Sequence, residues 1–378
     1  MDRQTELALI DELRALKSAK SVFLDEAVGR SPVSHYTDPE RFAAEREQLH
    51  RRFPTPACHV SELPEPGAFL TRRVAGTDIL VTRDRNDAVR AFHNVCRHRG
   101  TRLVGETRGC RHRFSCPYHA WTYASSGELL AAPQFDAGFP GVEKSDLGLA
   151  PVGCAVRYGF VWIAPAPSDA IPDAPLPPEL VEDFTQLGLE DMVIAVEHEE
   201  RRAANWKILI EGGIEAYHFR VAHRATIGPY FENNLSSYAR LGPHLRSVLP
   251  RTTLAELPDD DRDAWRLRDH ANILYTLFPL GQFLVQQDHV VWIAPVPVAA
   301  DRTDLRLATL VPKARADDTV HWERNHAITR RTLAEDFDLA ESIQAGLTSG
   351  ANDELLFGRF EGALDVFNRT VAEHLRGR

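Results

Sequence analysis

At 378 residues the chain has room for two or three domains and a sizeable core. Hydrophobic residues at 43% and charged residues at 26% exclude disordered and collagen-like chains. Forty-four Lys and Arg against 54 Asp and Glu leave a net charge of −10, which argues against nucleic acid as a partner because phosphate neutralisation needs a basic surface.

Taken in chain order, Leu7, Ile10, Leu13 and Leu16 recur at helical spacing and predict a surface helix with no apolar signal core. From about Cys58 to Pro165 short β-rich runs alternate with Gly and Pro, among them Phe69-Leu70-Thr71, Ile79-Leu80-Val81 and Phe160-Val161-Trp162-Ile163. This is a small all-β unit. Ala164 to Pro178, rich in Pro, Ala and Asp, reads as a linker. Beyond it, helical signals at Trp206 to Phe219 and Thr332 to Leu347 flank strand runs at Ile273 to Leu277, Gln282 to Gln286, Val290 to Ala294 and Leu305 to Val311. The order predicts an α+β unit, helices laid on one face of a sheet. The longest apolar run, around Val290 to Pro297, falls well short of the roughly 20 residues of a membrane helix. Five cysteines in a chain this long are not a disulfide scaffold. A cytoplasmic enzyme, with no membrane partner, is the expected class.

Two constellations carry chemistry. Cys96-Arg97-His98-Arg99-Gly100 is followed, with 17 residues between His98 and Cys116, by Cys116-Pro117-Tyr118-His119. Cys96, His98, Cys116 and His119 form a mixed set on two tight loops, suited to a [2Fe–2S] cluster with two thiolates on one iron and two imidazoles on the other. Neutral histidines raise the cluster potential, so that a flavin or ferredoxin can reduce it. Gly100 supplies positive φ, Pro117 stiffens the second loop, and Ser115 and Tyr118 are candidate tuning hydroxyls. Cys110-Arg111-His112 is a decoy, too close to Cys116 for one short loop to present four ligands. Cys58, Cys110 and Cys154 read as buried thiols. A zinc site uses the same residue types, but its usual spacings pair Cys with Cys.

The second constellation is Glu211, Glu215, His218 and His223. On one helix Glu211, Glu215 and His218 would share a face. His218 and His223, five apart, meet at one metal only if that helix ends or distorts between them. Two imidazoles and one carboxylate around an iron(II) leave positions for dioxygen and substrate. The carboxylate is sought on the late helix, where Leu333, Phe337, Ala340, Ile343 and Leu347 make an apolar stripe. Asp336 falls inside that stripe, where a carboxylate is costly unless paired or metal-bound, whereas Glu335 and Asp338 project away.

In this order, C-x-H-x-G, C-P-Y-H-x-W, N-W-K and E-x-Y-H-x4-H resemble the α subunit of Rieske non-haem iron oxygenases, from about Phe42 to Leu375. The resemblance implies an N-terminal all-β Rieske [2Fe–2S] domain over residues 41–168 and a helix-grip catalytic domain around an antiparallel sheet over 169–378. Residues 1–40 would form a helical segment packing on the catalytic domain. It also implies a homotrimer in which electrons pass from one subunit's cluster to its neighbour's mononuclear Fe(II). Glu215 would bridge the centres, bonding His218 and, across the interface, His119. Many family members have Asp at that position. Glu215, with the string from Glu335 and Asp336 through Glu341 to Gln344, resembles the branch that oxidises choline, carnitine and betaines, although that branch carries Asn where Gly212 stands and Cys where Ala216 stands.

The expected activity is hydroxylation of a small-molecule substrate with O2, electrons coming from an NAD(P)H-dependent reductase or a ferredoxin. Two substrate readings stand: an aromatic or alicyclic ring, or an N-methyl or quaternary ammonium carbon caged by aromatic side chains. Tyr230, Phe231, Trp265, Tyr275, Phe278 and Phe283 are candidate linings, most of them expected in the core. Arg97, Arg99, Arg102, Arg108, Arg111 and Arg113 make a basic patch that would steer an acidic electron donor or pair across the trimer. The rival classes are a Rieske electron carrier without oxygenase activity and a zinc-stabilised binding module.

Overall fold

Two units make up the chain, Met1–Leu49 with Leu176–Arg378 and His50–Pro175. The computed structural model describes residues 1–165, 171, 176–258 and 261–376. The linker expected over Ala164 to Pro178 falls mostly on 166–170 and 172–175, which lie outside the described residues.

The unit His50–Pro175 is built on period-two alternation. Strands Ala68–Val74, Thr77–Arg83 and Val89–His93 pair antiparallel, with Leu70 opposite Val81 and Leu80 opposite Phe92. Successive side chains point to opposite faces. Accordingly Leu70, Ile79, Val81 and Ala91 enter one core with Val161 and Ile163. Phe69, Leu80 and Phe92 enter the other, which also holds Cys96, Cys116, Trp121 and Tyr123. A second sheet orders Gly153–Arg157, Phe160–Ala164 and Thr55–His59, and a third orders Arg113–Ser115, Thr122–Ala124 and Leu129–Ala131.

In the larger unit, helix α1 (Arg3–Ser18) is capped by Asp2 and buries Ile10 and Leu13, as its spacing predicts. Seven strands form one antiparallel sheet: β1 (Met192–Arg202), β2 (Ser237–Leu241), β3 (His244–Pro250), β4 (Ala271–Thr276), β5 (Gln282–Val285), β6 (Val290–Ala299) and β7 (Arg302–Pro312). Strands β2 to β7 follow one another as a meander, and β1 closes the far edge against β7. Among the helices of this unit are α2 (Trp206–Glu211), α3 (Phe219–Ala222), α4 (Thr319–Leu347) and α5 (Gly362–Leu375). Ile208 and Leu209 of α2, Phe337, Ala340 and Leu347 of α4, and Val291, Ile293, Leu305 and Leu307 of the sheet share one core.

Two expectations need correction. The late helix begins at Thr319, not near Thr332, and runs 29 residues. Its first half buries Trp322, His326 and Thr329, so polar groups interrupt the stripe that would have announced it. Ile343 is 44% exposed, and Gln344 at 4% takes the inward place. The reason is a hydrogen bond: Gln344 Oε1 accepts from the Asn205 backbone N–H at 2.8 Å.

That contact also explains N-W-K. Asn205 caps α2 by accepting from Lys207 N at 3.0 Å, and its amide donates to the carbonyls of Tyr36 at 3.1 Å and Ala300 at 2.7 Å. Trp206 Nε1 donates to Glu45 Oε2 at 2.9 Å, and Lys207 Nζ reaches both Glu45 oxygens at 2.7 and 2.8 Å, all buried. The motif is a clamp that fixes where α2 starts relative to α4.

Candidate metal centres

Helix α2 stops at Glu211, with Gly212 at its C-cap. The expected shared face of Glu211, Glu215 and His218 therefore does not form. Glu211 is buried apart, accepting from Tyr36 Oη at 2.9 Å and Asn368 Nδ2 at 2.8 Å. Ending the helix early frees the chain to turn. His218 stands at the N-cap of the single-turn α3 and His223 at its C-cap. The short helix folds the two imidazoles toward each other, with Nε2 atoms 3.1 Å apart.

Asp336 comes from α4 to meet them. Its Oδ1 lies 3.3 Å from His218 Nε2 and 2.9 Å from His223 Nε2. Gly212 packs beside it: a Cβ there would stand 3.8 Å from the Asp336 Cβ, an ordinary contact distance. The far side of each ring is held by a second carboxylate. His218 Nδ1 bonds Glu215, whose other oxygen accepts from the Tyr217 backbone N–H. His223 Nδ1 bonds Glu335 Oε2 at 2.8 Å, and Thr226 Oγ1 donates to the same oxygen at 2.5 Å. Glu335 does not project away as expected. It sits one residue from Asp336 at the margin of the inward face, and that adjacency was the available signal. Asp338 does project away, to Arg202 Nη1 at 2.8 Å.

The electrostatics follow from this packing. Burial opposes charge on His218, but Asp336 and Glu215 outweigh it and push the imidazole up to about 10. His223 is raised by the same balance of burial against Asp336 and Glu335. Burial would raise Asp336, yet the two imidazoles hold it low. Three donor atoms thus converge on a point that favours positive charge. Atoms about 2.1 Å from one metal and at right angles to each other lie about 3.0 Å apart, so the observed spacings suit a single cation with open faces.

In the smaller unit, two loops share one hydrogen-bond pattern. Cys96 N donates to Thr101 O and Gly100 N to Cys96 O; Cys116 N donates to Trp121 O and Ala120 N to Cys116 O, all between 2.8 and 3.0 Å. Each loop turns on positive φ at its fifth residue, Gly100 at 76° and Ala120 at 56°. Cys96 and Cys116 are buried beneath the loops, at 2% and 4% exposure, while the His98 and His119 rings lie 4.7 Å apart nearer the surface. His98 stacks on Trp121 at 4.8 Å. Burial pushes the Cys96 thiol up, and Cys116 adds to this.

A tetrahedral zinc site draws its ligand atoms within about 4 Å of one another. Among the described residues, one group of three or more candidate ligands is gathered about a point, His218, His223 and Asp336, within 4.8 Å. In the two loops Cys96 is next to Cys116 and the His98 ring is next to His119, a thiol pair and an imidazole pair, which suits two irons. The decoy Cys110 is exposed rather than buried, Cys154 is half-buried, and Cys58 is buried. The tuning hydroxyl is one the sequence reading missed: Tyr123 Oη lies 3.3 Å from Cys96 Sγ and accepts from Arg97 N at 3.0 Å. Ser115 bonds Thr122, and Tyr118 accepts from Arg99.

Residues 53–148 match the Rieske [2Fe–2S] domain, and residues 189–377 match the ring hydroxylating alpha subunit (catalytic domain) family. The chain belongs to that family. Its cofactors are the Rieske [2Fe–2S] cluster and a mononuclear iron. The glycine betaine monooxygenase oxygenase subunit of Chromohalobacter salexigens is 32% identical over 264 residues, 66% of this chain and 56% of that subunit. This chain therefore spans about half the length of that curated relative. The carnitine monooxygenase oxygenase subunit of Acinetobacter pittii is 25% identical over 91% of this chain and 94% of its own. A solved quaternary ammonium Rieske monooxygenase superposes with a TM-score of 0.77 at 25% identity, covering 92% of this chain and 95% of that one.

A cavity of about 430 Å³ lies between the segment after His223 and α4, and none of His218, His223 and Asp336 lines it. It is lined by Ile227 and Phe231, just past His223, and by Thr332 and Leu333, one turn before Asp336. Of the six aromatics singled out, Tyr230 and Phe231 line it; Trp265, Tyr275, Phe278 and Phe283 are core. No helix among the described residues is long and apolar enough to cross a membrane.

Proposed function

We propose that this chain is the oxygenase component of a Rieske non-haem iron system that hydroxylates a small molecule. Residues 41–168 make the electron-accepting domain, residues 169–378 the catalytic domain, and residues 1–40 a helical segment belonging with the latter. Cys96, His98, Cys116 and His119 hold the cluster; His218, His223 and Asp336 hold the iron. When bound, these groups supply electrons singly and a place for dioxygen to react beside substrate. The observation that carries the reading is the convergence of two imidazoles and one carboxylate, each imidazole backed by its own carboxylate.

The chain's own residues do the positioning. Glu215 and Glu335 fix ring tautomers so that Nε2 faces the metal. Glu215 also holds a proton at His218 Nδ1 and connects, in a homotrimer, to His119 of the neighbouring subunit. A monooxygenation puts one oxygen atom of O2 into a C–H bond and releases the other as water, consuming two electrons and two protons. The electrons come from an NAD(P)H-dependent reductase or a ferredoxin. The relatives named for glycine betaine and carnitine favour an N-methyl or quaternary ammonium substrate over a ring.

The test is iron and sulfide analysis of anaerobically loaded protein, followed by oxygen uptake with a compatible reductase. Expected are both iron types and substrate-dependent uptake. With Glu215→Gln, both metals stay and turnover is lost; normal uptake in that variant removes Glu215 from the mechanism. A colourless protein holding one metal type would favour the zinc module, and a red-brown one without mononuclear iron the electron carrier.

A further inference from the structure

We infer that Arg99 is a positioning residue of the iron–sulfur centre: it pins Tyr118 onto the exposed ring of His119 and holds a positive charge beside the two imidazoles, which raises the potential of the cluster. This rests on the reading above that Cys96, His98, Cys116 and His119 hold that cluster.

The two loops repeat one backbone pattern, Cys96 N donating to Thr101 O as Cys116 N donates to Trp121 O. Counted from the cysteine, the third place is His98 in one loop and Tyr118 in the other, and the fourth is Arg99 and His119. Each loop thus gives one of these two places to a ligand and the other to a side chain that cannot be one. The four meet in two pairs across the loops. The ligand rings of His98 and His119 lie 4.7 Å apart. The remaining two meet as well: Arg99 Nη1 donates to Tyr118 Oη at 3.0 Å, and its guanidinium carbon stands 5.3 Å from the Tyr118 ring centroid. Tyr118 in turn lies against His119, ring centroids 3.7 Å apart and planes tilted by 34°. His98 is covered differently, stacked on Trp121 and edged by Phe139 at 5.7 Å.

An exposed contact of this kind adds only about 0.5–1 kcal/mol to folding. Its reach is electrostatic. A guanidinium keeps its charge at any working pH, and a cation near a centre that gains an electron favours the reduced form. Burial, His119 and Arg99, in that order, hold His98 below its ordinary range, so the charge is felt at a ligand ring. The Tyr118 hydroxyl keeps the long side chain from swinging into water, where counter-ions would screen it. Among the described residues no ring or carboxylate holds Arg97, exposed on the same loop.

A redox titration of the full-length, cluster-loaded protein, followed by visible circular dichroism with mediators, tests this. The EPR signal of the reduced state shows in each sample that the cluster is intact. Arg99→Gln is expected to lower the midpoint potential by about 30 mV, about a threefold change in the one-electron equilibrium. The difference from wild type should shrink at about 1 M salt. Arg97→Gln, with the same loss of net charge, should move the potential less than half as far. Tyr118→Phe keeps the ring but loses the acceptor, and should follow Arg99→Gln part of the way. Arg99→Lys keeps the charge without the fork and should recover part of the loss. Overturning results are an unchanged potential in Arg99→Gln, an equal shift in Arg97→Gln, or no shift in Tyr118→Phe. Slower reduction by the electron donor at unchanged potential would make Arg99 a docking residue and also overturn the role. Should Arg99→Gln fail to load the cluster, Arg99→Lys and Tyr118→Phe decide between the same outcomes. Wild type without a Rieske signal sinks the cluster reading and this role together; an intact signal with an unmoved potential sinks the role of Arg99 alone.

Discussion

Asp336 and Glu335 are neighbours on one helix and serve the same pair of rings from different sides. Asp336 faces both Nε2 atoms, and Glu335 holds His223 Nδ1. Their removal should therefore differ in kind. Asp336→Ala is expected to lose the mononuclear iron while the visible spectrum of the cluster stays intact, read by metal analysis beside absorbance. Glu335→Gln should retain the site but weaken iron binding about 10- to 100-fold, the usual cost of losing a carboxylate behind a ligand histidine, measured by chelator competition. Glu211 gives a pH signature well away from the rings. Burial raises its carboxyl from 4.5 to about 7, against the bonds from Asn368 and Tyr36 and the charge of Lys207. Between those values the native state binds more protons than the unfolded one, so this contribution to stability is complete below pH 4.5 and fades as pH rises through 7. Glu211→Gln, which mimics the neutral form, should gain stability relative to wild type between pH 5 and 8; parallel denaturation curves would contradict the assignment.

At the scale of elements, the site depends on where short helices stop. Helix α3 has four residues, and the turn after it is closed by Gly228 N donating to His223 O at 2.9 Å. A Cβ at Gly228 would lie 2.8 Å from that same oxygen and 2.9 Å from Phe219 O, both backbone atoms that cannot swing aside. Gly228→Ala is expected to shift His223 and lower iron occupancy several-fold with the cluster unaffected, checked by metal-to-sulfide ratio. The twin loops of the smaller unit make the same point. They were legible from C-x-H-x-G and C-P-Y-H because spacing, glycine and proline report loop geometry directly. Tyr123 was not legible, because it reaches Cys96 from a strand on the far side of the second loop. The stop of α2 at Glu211 was equally hidden, since Glu211 to His218 reads as continuous helix until Gly212 and Gly213 are given their weight.

For the molecule as a whole, α2 is anchored by charges with no access to water. Lys207 and Glu45 are fully buried, and Arg41 adds a contact to Glu45 at 3.2 Å. Breaking such a pair strands a charge, which typically costs about 3–5 kcal/mol. Lys207→Met should destabilise the chain by that order in denaturant titration, and Glu45→Gln added to it should recover much of the loss. The anchor joins residues far apart in sequence, from Tyr36 and Glu45 through Asn205 to Gln344. The basic patch is a surface question of the same scale. Arg111 is committed to Glu106 at 2.7 and 3.0 Å, while Arg97, Arg99, Arg102, Arg108 and Arg113 are exposed.

The amino-acid order alone singled out the two groups of candidate ligands, the all-β and α+β halves, and Asp336 as the acid of the inward stripe. It could do so because metal ligands impose spacing, and because period-two and helical patterns record which face is buried. Only the folded chain decided that Glu335 backs His223 and that Tyr123 meets Cys96. Those side chains are brought together by strand pairing and helix docking between distant segments, and contacts of that kind leave no local period in the sequence.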